Sequence, residues 1–474
     1  MQQSLIQFVS KLRSKLVRLS KLDILILVVL VNGIFFVFGE IYQVQYAYNF
    51  KPEFHLAKNS VNNVPVTQIK YTDGIFIQLD KCMTEPNCRI REIVSADDIG
   101  NVLAFWVGNK ITPVENINNV REGRSHPLIT KIFFITIHFA TLIIFVLLGL
   151  VYLGKLETLL LALTLCLFEN LFYMTYSYDV YFFPIYTIML SIVFLDPTKI
   201  RFKYLLSIAA LIGFFCWFRS TVWLIFLGSG MTYLFFNIKN NLKMKNYKIL
   251  LALAITILVM KSPLLVFNNI THTFWHSLHA GLYEQGGIIN EKLKFIPMHL
   301  IKPEDRTPRA ATFYSWYEKY QIRTAEQINP NITVFSKEYE AVLKDDYLRI
   351  IFSDLKENIF FYLRRIPITF SFHPFKTHTR SGLIENNGIY PIAGYVFIIF
   401  FISFLFYKNI PILVKAILSV ILITAAMPSL LIHPGYLTYN APILFAQWMI
   451  LIVFVGTFLK KRLSSGSAST HEDR

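Results

Sequence analysis

The stretch that decides the fold is ITKIFFITIHFATLIIFVLLGLVYL, residues 129–153, whose only charge is Lys131 and which is followed, after Gly154, by Lys155. About 17 or more apolar residues are what an α-helix needs to cross roughly 30 Å of hydrocarbon. Only a helix can satisfy its own backbone there without an open edge. Similar runs recur on both sides of this one. The whole chain of 474 residues is 54% hydrophobic and 16% aromatic, with a mean hydropathy of +0.47, far above the balance of a soluble globular protein. The sequence therefore predicts an all-α polytopic membrane protein of about ten transmembrane helices.

The formal net charge is +16. Its Lys and Arg residues sit in short segments beside the apolar runs, which is the pattern that sets membrane topology and argues against a nucleic-acid partner. Residues 1–22, with Lys11, Arg13, Lys15, Arg18 and Lys21, read as a basic cytoplasmic amphipathic segment, too charged and too long for a cleaved leader. They feed a first span over 23–39. Residues 40–128 then form a first polar segment on the outer side.

Residues 129–267 hold the second to seventh spans, with inner loops marked by Lys199, Arg201 and Lys203 and by Lys239, Lys243, Lys245 and Lys248. Two basic inner loops require a hairpin between them, which places Arg219 at an outer turn. Residues 268–389 form a second outer segment, 390–459 three more spans, and 460–474 a cytoplasmic end. From Ser464 to Arg474 the chain reads as a disordered tail.

Cys166 and Cys216 lie inside apolar runs and read as small packing residues. Cys82 and Cys88 bracket a polar stretch on the outer side, where a disulfide between them would persist. The alternative is two separate thiols.

With short inner loops and long outer segments, chemistry is expected outside. The most informative stretch is Ala96-Asp97-Asp98-Ile99-Gly100-Asn101-Val102-Leu103-Ala104-Phe105, followed by Ser125-His126-Pro127-Leu128 at the mouth of the second span. An acidic pair, a small residue about two turns later and His-Pro leading into a membrane helix resemble the first outer loop of the GT-C superfamily of glycosyltransferases. That superfamily includes the protein O-mannosyltransferases and the aminoarabinose transferase of lipid A. The resemblance implies that the pair opens a helix along the membrane surface and that one carboxylate deprotonates the acceptor, with Asp97 at the base position and Asp98 beside it.

The chemistry suits those residue types. An acceptor hydroxyl is a poor nucleophile unless a carboxylate takes its proton, and adjacent carboxylates raise one another's pKa. Acidic residues also cap helix starts, a role compatible with catalysis. In the relatives the pair follows the first span closely. Here a long polar stretch intervenes, so Glu40 at the end of that span stays a second candidate.

A departing lipid phosphate needs cations near the membrane surface. Arg219 is the leading candidate, since a charge between two apolar runs is costly without a partner, although an arginine can also snorkel to headgroups. His126, Lys261, His433 and Tyr436 are further substrate-binding candidates at outer helix ends. Arg364, Arg365, Lys376, His378 and Arg380 form a basic run of the kind that binds lipid headgroups, and Arg380 is its substrate-facing candidate.

His272, His276 and His279 share one face of a helix, with Trp275, Leu278 and Leu282 on another. This reads as an interfacial helix with His276 and His279 toward substrate. Side chains two turns apart seldom meet at one zinc ion, so no metal and no cofactor is expected. Lys344-Asp345-Asp346-Tyr347 reads as a solvated face of an amphipathic helix over Tyr339–Phe361. Glu169 and Asn170 read as polar residues joining helices.

The expected function is an inverting transfer of a sugar from a polyprenyl-phosphate donor to a cell-envelope glycan or lipid, lipopolysaccharide included. The expected partners are that donor, the glycan or glycolipid acceptor and membrane lipids. Richness in Ile, Phe, Asn and Lys points to a bacterial inner membrane with a periplasmic site. The alternatives are a polymerase or ligase of polyprenyl-linked polysaccharide, and a lipid or glycolipid flippase, which would carry ionisable residues at mid-membrane.

Overall fold

A computed structural model describes residues 19–49, 94–95, 99–112, 128–167, 182–219, 221–237, 243–265, 269–270, 274–283, 325, 328, 332, 336–371, 389–431 and 437–468. The described fold is all-α apart from one two-residue parallel ladder. In chain order the helices are α1 (Lys21–Asn49), α2 (Ile99–Ile111), α3 (Leu128–Tyr152), α4 (Lys155–Leu167), α5 (Phe182–Ser191), α6 (Phe202–Phe215) and α7 (Val222–Asn237). They continue as α8 (Lys243–Lys261), α9 (Phe274–Tyr283), α10 (Lys337–Ser353), α11 (Leu355–Thr369), α12 (Ile389–Phe406), α13 (Ile412–Leu431) and α14 (Leu437–Ala468). The ladder joins β1 (Val94–Ser95) to β2 (Asn269–Ile270).

Among the described residues, α3, α13 and the Ala441–Leu459 part of α14 are long and apolar enough to cross a membrane, α3 with a mean hydropathy of 2.6. Phe182–Leu195, Phe202–Phe215, Val222–Asn237 and Ile392–Phe406 are shorter apolar helices. Length and composition together suggest an integral membrane protein.

α5 is the axis of the bundle. Its sequence FFPIYTIMLS is apolar all round, as a helix enclosed on every side must be, and every one of its residues is buried. α3, α6, α7 and α14 surround it. Phe183 stacks on Phe218 with centroids 4.8 Å apart, and Phe134 meets Phe218 edge-on. Hydroxyls in this core turn to backbone carbonyls: Thr187 Oγ1 donates to Phe183 O (2.8 Å) and Thr256 Oγ1 donates across from α8 to Ala209 O of α6 (3.0 Å).

The observed helices differ from the sequence reading at their ends. α1 runs past Gly39 to Asn49 and carries Glu40 inside it, α8 starts at Lys243, and α14 reaches Ala468 where a disordered tail is expected. Apolar windows mark only the part suited to hydrocarbon. Extending an existing helix costs little per residue, so it continues into polar sequence. The amphipathic stretch over 339–361 is broken at Asp354 into α10 and α11, two helices that expose different chemistry.

Candidate functional site

Three segments far apart in sequence meet at one end of the bundle. Asp97 and Asp98 lie outside the described residues, but the chain on both sides of them is anchored. Ser95 pairs with Ile270 in the ladder, and Gly100 N–H, at the second residue of α2, donates to Trp217 O (2.7 Å). Only glycine allows that approach, because a Cβ at residue 100 would lie 2.9 Å from the Trp217 carbonyl atoms. The indole of Trp217 in turn donates from Nε1 to Val259 O (2.8 Å) in the last turns of α8.

These bonds bring the candidate cations to the same region. Arg219 is half-buried between α6 and α7, its backbone N–H donating to Phe215 O (3.0 Å) and its carbonyl accepting from Val222 N (3.2 Å). Lys261 is exposed at the end of α8, two residues beyond Val259. His126 lies outside the described residues. So do Arg380, His433, Tyr436, Cys82 and Cys88.

α2 lies on α3, fixed by Thr130 Oγ1 donating to Ala104 O (3.0 Å) and Ile129 N donating to Thr112 Oγ1 (3.2 Å). Between them opens a cleft of about 290 Å³ with apolar walls. Leu103 and Val107 of α2, Phe133 of α3, and Phe214, Trp217 and Phe218 line it. With its threonine already bonded, the cleft offers nothing to a polar ligand and suits a hydrocarbon chain. The described end of the acidic stretch is one wall of it, at Gly100.

A second cluster surrounds α9, which follows β2. His272 lies outside the described residues, and the other two histidines of this segment reach α10. His279 is fully buried, and its Nε2–H donates to Asp346 Oδ2 (2.9 Å), whose other oxygen accepts from Arg349. His276 Nδ1 and the Tyr339 hydroxyl are 3.0 Å apart. Leu278 and Leu282 are buried as well, whereas His276 is half-buried and Phe274 is exposed. α9 packs on α10. Asp346, expected on a solvated face, is correspondingly drawn inward, whereas Lys344 and Asp345 beside it are exposed.

Burial pushes the His276 imidazole down to about 3, with His279 adding to the effect. Burial alone would raise Asp346, but the hydrogen bonds from His279 and Arg349 outweigh it and hold the carboxyl below its ordinary value.

Two residues here carry more of the architecture than their sequence context announces. Glu340 accepts from the backbone N–H groups of Trp275 (2.8 Å) and His276 (3.3 Å), closing the N-terminus of α9. Arg365 is 1% exposed and lies inside the protein, not at the headgroups. Its guanidinium donates to Gly281 O near the end of α9 and to Leu430 O (3.2 Å) and Leu431 O (3.4 Å) at the end of α13. His433 and Tyr436 follow Leu431 in the sequence, outside the described residues. A basic run in sequence does not show which of its members turns inward. The one cue is that Asn358, Tyr362 and Arg365 recur on a single face of α11.

Among the described residues no three His, Cys, Asp or Glu side chains group as a metal site. The chain matches no family model, no curated protein and no solved structure.

Proposed function

We propose that the chain is an inverting glycosyltransferase of the GT-C type, taking a sugar from a polyprenyl-phosphate donor to a glycan or glycolipid acceptor at the outer face of a membrane it crosses about ten times. The observation that carries the reading is the convergence of the two flanks of the Asp97-Asp98 pair on Ile270 and Trp217, beside Arg219, Lys261 and an apolar cleft. An acid, cations and a greasy slot are the parts such a transfer needs. The large outer segments 40–128 and 268–389 hold the acceptor side of this site, and the short basic loops face the cytoplasm.

In this reaction the acceptor O–H loses its proton to one carboxylate of the pair while its oxygen attacks the anomeric carbon. The bond from that carbon to the carrier phosphate breaks with inversion, and the polyprenyl phosphate leaves with the electron pair. Arg219 and Lys261 balance the charge that grows on it, and the cleft holds the first isoprene units. Convergence of the flanks of the acidic pair with cations and the cleft favours this over a flippase, which needs none of that grouping.

Replacing Asp97 and Asp98 separately by Asn tests the proposal. Loss of the general base lowers turnover by about 10²–10⁴-fold in one variant, with the detergent-solubilised protein retaining its elution profile and melting midpoint. Full activity in both variants and in Glu40→Gln would refute it.

A further inference from the structure

α11 buries three polar side chains and shows four apolar ones. Asn358, Arg365 and Thr369 are buried at 6%, 1% and 1% exposure, whereas Leu355, Ile359 and Leu363 are exposed at 48%, 50% and 50%, with Phe360 beside them at 46%. The three exposed aliphatic residues are spaced i, i+4 and i+8, so they form one stripe along the helix. Phe352 in the last turn of α10 extends it. In water this order is inverted, because a helix of a soluble segment turns its apolar face to the core.

The polar side is fixed where it is. Asn358 Nδ2 donates to Ile350 O (3.0 Å) and Ile351 O (3.1 Å), and Arg365 holds the carbonyl ends of α9 and α13. Rotating the helix to hide the stripe would strip these carbonyls of their donors.

The position of α11 says what covers the stripe. The Pro367 carbonyl lies against Gly394, in the second turn of α12, so closely that a Cβ there would overlap it. Arg365 meets the last two residues of α13. α11 therefore sits at one end of these two apolar helices, level with their termini rather than their middles. Below that level α12 itself shows Val396 and Ile399, so the bundle beneath α11 carries an apolar exterior. Lys356 is exposed on the same side, and its long stem can carry its ammonium up to phosphate level.

We propose that α11 is an interfacial anchor: Leu355, Ile359, Phe360 and Leu363 are seated in the acyl-chain boundary of the bilayer, and Lys356 reaches the lipid phosphates. The partner is the lipid surface. The anchor rests on the membrane embedding of the chain and is independent of the transfer chemistry. It ties the α9–α10 unit to the membrane plane, because Arg365 on its inner side grips α9.

The test uses the full chain, with Cys82, Cys88, Cys166 and Cys216 replaced by serine, reconstituted in phosphatidylethanolamine–phosphatidylglycerol vesicles. Nitroxide labels are placed one at a time at Ile359→Cys, Leu363→Cys, Asp345→Cys and Ile399→Cys. Collisions with oxygen, which concentrates among acyl chains, are compared with collisions with a water-soluble nickel chelate. Labels at 359 and 363 are expected to favour oxygen, as at 399, at a depth of about 5–10 Å below the phosphates, whereas the label at 345 favours nickel. Nickel dominance at 359 and 363 with oxygen dominance at 399 would overturn the anchor and leave the embedding intact. Low collision with both agents would overturn it too, by showing the stripe covered by protein. Nickel dominance at 399 as well would remove the embedding itself and the anchor with it.

Discussion

Arg365 shows how far one side chain can govern this molecule. A guanidinium presents its donors in a fixed fork, so it can serve carbonyls lying in different directions, which a lysine ammonium on a flexible stem does less well. Here it serves the end of α9 through Gly281 and the end of α13 through Leu430 and Leu431. Both are helix C-termini, where unpaired carbonyls and the negative end of the dipole favour a cation. Arg365→Met keeps the volume and leaves those carbonyls buried without donors, at about 1–3 kcal/mol each in the worst case. The expected result is a clear drop in the thermal midpoint of the detergent-solubilised protein, of which Arg365→Lys recovers less than half. Equal midpoints for the methionine variant and the parent would show that the carbonyls find water instead.

At the scale of elements, α9 depends on its neighbours. A helix of 10 residues is marginal by itself, and this one is closed by charges of the right sign at both ends, Glu340 at its amides and Arg365 at its carbonyls. Glu340→Gln keeps an acceptor but removes the charge, a loss of about 0.3–1 kcal/mol, whereas Glu340→Ala removes the cap for about 1–2 kcal/mol. Amide exchange in α9 reads both, with the alanine variant faster.

The same unit responds to acid. His276, held near 3, and Asp346, held below its ordinary value, both bind protons less readily folded than unfolded. Their contribution is therefore complete above the ordinary histidine value of 6.5 and shrinks as the pH falls toward about 3, with the Asp346 part lost last, below the ordinary aspartate value of 3.8. Fluorescence of Trp275 and proteolysis of the 336–371 region should follow that course. His276→Gln should flatten the part between 6.5 and 3 while leaving the lower step.

For the whole molecule, α5 buried on every side and apolar exteriors on α12 and α3 describe a bundle whose outside prefers hydrocarbon. The chain is expected to stay with membranes through alkaline carbonate extraction and to need detergent for release. Reporter fusions after Lys203 and after Lys245 should read as cytoplasmic, and one after Lys337 as extracytoplasmic. A cytoplasmic reading at Lys337 would place the acidic pair and Arg219 on the wrong face for a lipid-linked donor presented outside, and would remove the proposed transfer.

What the sequence determined by itself follows from local composition. Runs such as 129–153 require a helix wherever they are placed, because the backbone of an apolar segment has no other way to be satisfied, and Arg219 between two such runs had to fall at a turn. Only the tertiary structure decided which face of each polar helix looks inward. The period of 3.6 residues groups Asn358, Tyr362 and Arg365 on one side of α11 and Leu355, Ile359 and Leu363 on the other, but it does not say which side meets protein and which faces outward. That choice depends on carbonyls at residues 281, 350, 351, 430 and 431. These partners are remote in the chain or hidden at helix ends, and they come together only when the bundle is assembled.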